Sequence, residues 1–511
     1  MNSSSADEEK IKLREVILAL VGEYAEKYHS DHAPLNYKTE AQLNTVPSSV
    51  PYAARVFGKE EVISAVSSSL DFWLTLGKEG AAFESEFANY LGVRKSILVN
   101  SGSSANLVAL GTLTSSSIDE GRLLKGDEVI TCAAGFPTTV GPILQNGLVP
   151  VFVDNNPQTG NIDVSMLEEA YDPKKTKAVM IAHTLGNPFD LGSVLEFCKK
   201  YGLRLIEDNC DALGSVYQMP QDLAEQLEKN GSRGKLDSAS GSVARFTGTW
   251  GDVSTQSFYP PHHITMGEGG CVNICNDLKL KWPLESMRDW GRDCWCPSGE
   301  DDTCGKRFSW SFDELPEGYD HKYVYSHIGY NLKPLDIQAA IGRVQIKRLP
   351  HFIESRKENW IFLRNAFDEL KDYFDFMLPT HAKSWSKETS SFSWDDTGCK
   401  TDCSWFGFML NVRSDAGFTA QKIGRSLAEK NIGNRSLFGG NLVKQPAFLQ
   451  LKKDYPESFR QVGSLAGADE LMRNSIFLGT FPGLSGSHKE MMIDSVFNFV
   501  RGKAQKKIYL A

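Results

Sequence analysis

Two groups of side chains are set apart by type and spacing. The first is scattered along the chain. Ser101-Gly102-Ser103-Ser104 follows a short apolar run and opens a helical pattern. Such a turn offers free backbone N–H groups, hydroxyls and the positive end of a helix dipole, which suits a phosphate; it is equally an ordinary serine-capped strand-to-helix turn. Asp208 ends another short strand-like run, the place where open α/β sheets bind ligands, or where a helix cap would stand. His262 and His263 lie in SFYPPHHITMGEGG at 257–270, and an imidazole can accept and donate protons near neutral pH. The second group is local: Cys294, Cys296 and Cys304, with one and seven residues between them, and Cys210 upstream in EDNCDALG. Structural zinc prefers thiols two to four residues apart, which the one-residue gap fits poorly, whereas four thiolates around a two-iron cluster accept varied spacings. Unrelated buried thiols are the plainer alternative. Cys132, Cys198, Cys271, Cys275, Cys399 and Cys403 match no such pattern.

These residues need elements to position them. Ile11, Leu13, Val16, Ile17, Leu20, Val21 and Tyr24 recur at helical spacing, predicting an amphipathic N-terminal arm over 8–28. Helical patterning follows over Glu60–Thr75 and Gly80–Leu91. Short apolar strands then alternate with helices: Ser96–Asn100, Glu128–Cys132, Val149–Val153, Ala178–Ala182, Arg204–Glu207, Val253–Ser257 and Gly270–Ile274. Strands separated by helices imply parallel βαβ units in a mixed sheet. Residues 218–242 are polar and read as a surface insertion; 380–402, rich in Ser, Thr and Lys, as an exposed loop; Leu335–Phe352 and Glu354–Leu370 as helical. The expected division is a helical arm at 1–60, a large domain at 61–345, and a linker helix with a small α/β domain at 346–511.

Composition narrows the function classes. The 511 residues are 41% hydrophobic and 23% charged, a globular mixture with room for more than one core. A net charge of −9 leaves no basic surplus for nucleic acid. No apolar stretch approaches the ~20 residues that cross a bilayer, and the start, MNSSSADEEKIK, is acidic where a signal peptide would be basic and then apolar. The expectation is a cytoplasmic protein, without nucleic-acid or membrane partners.

Five islands occur in a fixed order: NSGSSAN at 100–106, AGFPTT at 134–139, EDNCDALG at 207–214, the segment at 257–270, and SHIGYNLKPLDIQAA at 326–340. Together they resemble the DegT/DnrJ/EryC1 sugar aminotransferases of pyridoxal-phosphate fold type I, over about residues 60–500. The resemblance implies an aspartate aminotransferase-like fold, a large mixed-sheet cofactor domain with a smaller C-terminal α/β domain. It implies that Gly102, Ser103 and Ser257 hold the cofactor phosphate, that Phe136 stacks on the pyridine ring, and that Asp208 pairs with the ring nitrogen and makes the ring an electron sink. Asn331 would reach the phosphate of a second subunit, implying a homodimer, and Arg435 would border a sugar nucleotide, as a guanidinium suits a diphosphate.

The sequence departs from that family at one position. Where its motif has a Schiff-base lysine, the count from Ser257-Phe258 lands on His262. Imidazole makes no Schiff base, so the expected cofactor is pyridoxamine 5′-phosphate held without a covalent link, with His262 as base. The cysteine gaps resemble those of the family's [2Fe-2S]-containing 3-dehydrases. That implies a cluster on Cys210, Cys294, Cys296 and Cys304, a nucleotide-linked 4-keto-6-deoxyhexose substrate such as CDP-4-keto-6-deoxyglucose, and a separate flavin and iron–sulfur reductase. Tyr259, Asp211 and His183 are candidates for the acid that assists loss of the C3 hydroxyl. The alternatives are a cluster-independent hydrolytic 3-dehydratase of a GDP-linked sugar and a non-catalytic cluster-bearing subunit. An ordinary transaminase lacks its lysine, and Lys306 is too far from the GEGG segment to replace it.

Overall fold

The computed structural model describes residues 3–43, 45–228, 241–312 and 314–508. An eight-stranded sheet runs in the order Lys95–Val99, Gly270–Ile274, Val253–Ser257, Arg204–Asp208, Thr176–Ala182, Glu128–Cys132, Val149–Val153 and Arg460–Gln461. Only Gly270–Ile274 runs against the rest, pairing antiparallel with both neighbours. The carboxyl ends of the other strands therefore share one edge, where Ser101, Asp208 and Ser257 emerge. Glu128–Cys132 is buried at every position and Val149–Val153 at all but its first, so helices cover both faces. The reversed strand enters that edge at Gly270. A Cβ there would meet the Ser101 carbonyl oxygen at 2.4 Å, so only glycine lets the phosphate-type turn close over the sheet.

A 32-residue helix, Asp336–Phe367, leads to a four-stranded antiparallel sheet ordered Phe374–Phe376, Gly407–Val412, Ser475–Gly479, Asn434–Ser436. The helical patterning at Leu335–Phe352 and Glu354–Leu370 falls largely on this one long linker helix, which continues through Pro350 with Leu349, Phe352, Ile353 and Trp360 in one apolar core. The segment 380–402 is not an exposed loop. Ala382–Ser386 and Ser391–Trp394 form a hairpin whose Trp385 and Phe392 pack on Trp360, while Lys400–Asp402 pairs with Val216–Pro220. The 218–242 segment likewise begins and ends inside the fold: its flanks form a strand pair with buried Met219 and Val243, and Ala224 and Leu227 of an intervening helix are buried. Residues 229–240 lie outside the described residues. The N-terminal helix spans Ser3–Tyr28, yet its apolar stripe is open: Ile11, Leu13, Val16, Leu20 and Tyr24 are 55–60% exposed. The arm meets the helix Lys59–Asp71 along another side, where Gly22 and Ala25 are buried, Arg14 donates to Asp71 and Ser67, and Lys59 pairs with Glu26. No helix among the described residues is long and apolar enough to cross a membrane.

Candidate active site

At the carboxyl edge of the large sheet lies a cavity of about 520 Å³, and most of the scattered group opens into it. Ser101 caps the helix Gly102–Thr112, its hydroxyl accepting the Ser104 N–H at 3.1 Å. Gly102 and Ser103 thus sit at a helix N-terminus that faces the cavity, the positive end of the dipole. A Cβ on Gly102 would meet Ser257 Cβ at 2.4 Å and Cys210 Sγ at 3.1 Å, so the turn and the strand end form a cradle that a larger residue would fill.

Asp208 is buried on the cavity floor with its carboxylate held from behind. Thr139 Oγ1 donates to Oδ2 at 2.6 Å, Asn106 Nδ2 donates to Oδ2 at 2.8 Å, and the Cys210 N–H donates to Oδ1 at 3.2 Å. Thr255 in turn fixes Asn106 with a 2.6 Å bond to its Oδ1. This accounts for Thr255 within the strand Val253–Ser257, which is buried throughout yet carries Ser, Thr and Gln. Asn106 and Thr139 escaped the sequence reading as positioning groups, although both fall inside the islands.

His262 lines the same cavity beside Asp211, with Nδ1 3.7 Å from Asp211 Oδ1. Nδ1 is buried without a hydrogen-bond partner. Burial pushes the imidazole down to about 4, although a ring hydrogen bond to the Cys210 backbone and the charge of Asp208 act the other way. The backbone carrying it is pinned by Arg356, buried on the long helix, which donates to the carbonyls of Pro261 at 3.4 Å, His262 at 3.2 Å and Trp405 at 3.2 Å. No sequence signal marked Arg356. His263 points away from the cavity, Nε2 bonded to the Ser404 carbonyl at 2.8 Å.

Phe136 stands at the rim, 51% exposed and edge-on to Phe438. Arg435 also lines the cavity, its guanidinium 4.2 Å from the ring centre of Tyr52. Asn331 does not enter the cavity of its own chain; it is exposed and bridges Asp289, while the adjacent Leu332 carbonyl accepts the Asn100 N–H at 2.7 Å. Of the acid candidates, Tyr259 and Asp211 line the cavity and His183 does not.

The thiols divide. Cys294, Cys296 and Cys304 are neighbours on one loop: the Cys296 N–H reaches Cys294 Sγ at 3.5 Å. Burial opposes ionisation of Cys296, but hydrogen bonds from Thr303, the Cys304 backbone and the two other thiols bring it down to about 7. Burial and the adjoining thiols push Cys294 up. Cys210 lies in the other cavity, between Gly102 and Asp208, where burial and the Asp208 charge raise it. The four residues expected around one cluster are therefore not brought together in this chain. Among the described residues no group of three or more His, Cys, Asp or Glu side chains is disposed to hold a metal ion. Cys210 follows a central strand, whereas Cys294 and Cys296 line a separate cavity with Trp73 and Lys95.

Comparison with known proteins gives matches over nearly the whole length. Residues 57–497 match the model of the DegT/DnrJ/EryC1/StrS aminotransferase family. The lipopolysaccharide biosynthesis protein RfbH of Salmonella typhimurium is 42% identical over 487 residues, covering 95% of this chain and 98% of that one. The dTDP-4-dehydro-2,6-dideoxy-D-glucose 3-dehydratase of Saccharopolyspora spinosa is 41% identical over 468 residues, 91% of this chain and 90% of its own. Among solved structures, the E. coli GDP-4-keto-6-deoxy-D-mannose-3-dehydratase with bound hydrated PLP superposes with a TM-score of 0.68 at 26% identity, over 89% of this chain and 98% of that one.

Proposed function

The chain belongs to the DegT/DnrJ/EryC1/StrS aminotransferase family, and from that premise we propose that it binds pyridoxamine 5′-phosphate noncovalently and dehydrates a nucleotide-linked 4-keto-6-deoxyhexose at C3. The observation that carries this reading is the unpartnered Nδ1 of His262, buried in a cavity that no lysine lines among the described residues. A base is present where the family pattern has its Schiff-base lysine.

The donor set suits the cofactor. Gly102, Ser103 and Ser257 would take its phosphate at the helix N-terminus, Phe136 its ring face, and Asp208 its ring nitrogen, with Asn106 and Thr139 holding the carboxylate in place. When bound, the cofactor supplies an amine that condenses with a ketone and a ring that accepts an electron pair. His262 would hold the proton removed from the carbon beside the ring, at a nitrogen whose lone pair is not spent on another bond. Arg435 and Tyr52 at the rim would receive the nucleotide diphosphate. Asn331 and the open stripe of the arm fit contact with a second copy, as a homodimer.

The finer reading is CDP-4-keto-6-deoxyglucose as substrate, a [2Fe-2S] cluster on Cys210, Cys294, Cys296 and Cys304, and a separate flavin and iron–sulfur reductase. Three adjoining thiols support it. The position of Cys210 in the other cavity does not fit it within one chain, and this favours a second reading, a cluster-independent 3-dehydratase. One experiment tests both levels. Anaerobically purified protein is treated with pyridoxal phosphate and borohydride and is assayed for iron and sulfide. The expected result is no phosphopyridoxyl-lysine; a stoichiometric labelled lysine near residues 257–270 overturns the noncovalent reading. Iron and sulfide bound in equal amounts, and lost in Cys294→Ser, support the cluster, and their absence after reconstitution leaves the cluster-independent enzyme.

A further inference from the structure

No motif marks the segment that joins the N-terminal arm to the helix Lys59–Asp71, yet it closes one side of the cavity. Val50 forms a parallel bridge with Ile432 of the small domain: its N–H donates to the Asn431 carbonyl at 2.9 Å, and its carbonyl accepts the Gly433 N–H at 2.7 Å. A Cβ on Gly433 would lie 2.6 Å from the Tyr52 nitrogen, and one on Gly479 would lie 2.2 Å from the Tyr52 carbonyl oxygen, so two glycines let the segment lie against the small sheet. The other end is held by the long helix, where Gln345 Nε2 donates to the Val56 carbonyl at 3.0 Å. Gln345 Oε1 accepts the Thr265 N–H at 3.2 Å, on the loop that carries His262. Val50 and Val56 are buried. The strap is thus fixed at both ends, and between them Tyr52 lines the cavity.

Arg435 is the only Lys or Arg among the described residues that line this cavity. Its guanidinium lies over the Tyr52 ring, 4.2 Å from the centre, and Nη1 donates to the Asn434 carbonyl at 2.8 Å. The ring in turn stands edge-on to Phe477, with 6.1 Å between centres and 74° between planes. Among the described residues no carboxylate pairs with Arg435. A carboxylate partner would orient the guanidinium and cancel its charge. The negative face of an aromatic ring orients it and leaves the charge and the remaining N–H groups for an incoming anion.

Resting on the dehydration reading above, we propose that Tyr52 is a positioning residue: its ring presents the uncompensated Arg435 guanidinium to the diphosphate of the sugar nucleotide, which makes the strap at 50–56 a working part of the substrate site. Tyr52 acts through Arg435. Its contribution comes from the ring face, so it survives loss of the hydroxyl. It is exerted on phosphates, which every nucleoside diphosphate shares, so it is indifferent to the base. It vanishes when Arg435 is absent. The contact is also made before any bond at C3 changes, so it serves binding and not the chemical step.

The test uses the full chain loaded with pyridoxamine phosphate, with CDP, dTDP and GDP as calorimetric probes. Tyr52→Leu should weaken every diphosphate that the wild type binds by the same factor, about 2- to 5-fold, the size of an exposed cation–π contact. Tyr52→Phe should recover most of that loss. Placed on Arg435→Leu, Tyr52→Leu should cost nothing further, since the contact is already gone. In deuterium exchange at the cofactor's exocyclic methylene, driven by CDP-4-keto-6-deoxyglucose or dTDP-4-keto-2,6-dideoxyglucose, the Tyr52→Leu loss should fall on KM and not on kcat. Unchanged affinity in Tyr52→Leu, losses that add in the double variant, a loss that differs between bases, or a Tyr52→Phe as weak as Tyr52→Leu each overturns the proposal. Should Tyr52→Leu not fold, a fluorinated phenylalanine in place of Tyr52, which keeps the ring and weakens its negative face, carries the same decision. Wild-type protein that binds a diphosphate yet exchanges no deuterium with either sugar nucleotide defeats the dehydration reading and leaves the binding cycle to decide the role of Tyr52. Exchange without binding of any diphosphate overturns that role alone, and neither binding nor exchange defeats both.

Discussion

The cavity around Asp208 and the loop of thiols are built on opposite principles. In the cavity, side chains distant in sequence are delivered by strand ends and then locked by one another: Asp208 by Asn106 and Thr139, Asn106 by Thr255, and the His262 backbone by Arg356. On the loop, Cys294, Cys296 and Cys304 are near in sequence, and the contacts that set their properties come from the same short segment. The first site is preorganised by the sheet and holds its geometry without a ligand. The second owes its geometry to a loop, and its expected fourth member stayed with the first site. Sites on regular elements are more tightly fixed than sites on loops, and here both kinds occur in one chain.

That contrast can be broken by mutation. The largest effect is expected at His262. His262→Asn should retain bound pyridoxamine phosphate but slow exchange of the cofactor methylene proton by about 10²–10⁴-fold, the usual loss of a general base. Mass-spectrometric exchange measures it, and exchange at the wild-type rate would move the base elsewhere. Next come the locks. Thr139→Val removes a 2.6 Å bond to a buried carboxylate. Bonds to charged groups contribute about 1.5–3 kcal/mol, so cofactor affinity should fall by roughly 10- to 150-fold, read by absorbance titration. Cys304→Ser, a change on the loop, should leave that titration unaltered; equal effects from both variants would erase the distinction between the regions.

The smallest effect sharpens the contrast from the other side. Cys296 is lowered to about 7, so its thiolate predominates above that pH and its reaction with iodoacetamide should rise as pH passes through about 7. Burial drives Cys271 and Cys403 well up, and both should stay inert in the folded protein. Cys304→Ala removes one of the donors and should shift the Cys296 midpoint upward. Peptide mapping of the alkylated protein separates the three sites.

Much of this was legible in the chain itself. Expected strands such as Glu128–Cys132, Val149–Val153, Val253–Ser257 and Gly270–Ile274 fall on observed ones, because fully covered strands bounded by turns write themselves as short runs with sharp ends. The hairpin within 380–402 was missed because its polar residues alternate with Trp385, Phe392 and Trp394, and only contact with Trp360 makes that alternation meaningful. The stripe of the N-terminal helix was read as a helix correctly, but periodicity cannot say what covers it, and within one chain nothing covers Ile11, Leu13 or Leu20.

By itself the sequence determined the residue types: a glycine and serines at a helix start, a carboxylate at a strand end, and imidazole where the family pattern has lysine. These are local facts, set by propensity, capping and spacing. Tertiary structure decided which of them meet. It placed Asp211 3.7 Å from His262 and set Arg356 under the loop that carries the imidazole. It also put Cys210 in this cavity, while Cys294 and Cys296 line another. Distances between residues far apart in sequence follow from strand order and sheet direction, and so does the burial that drives Asp211 and His262 in opposite directions.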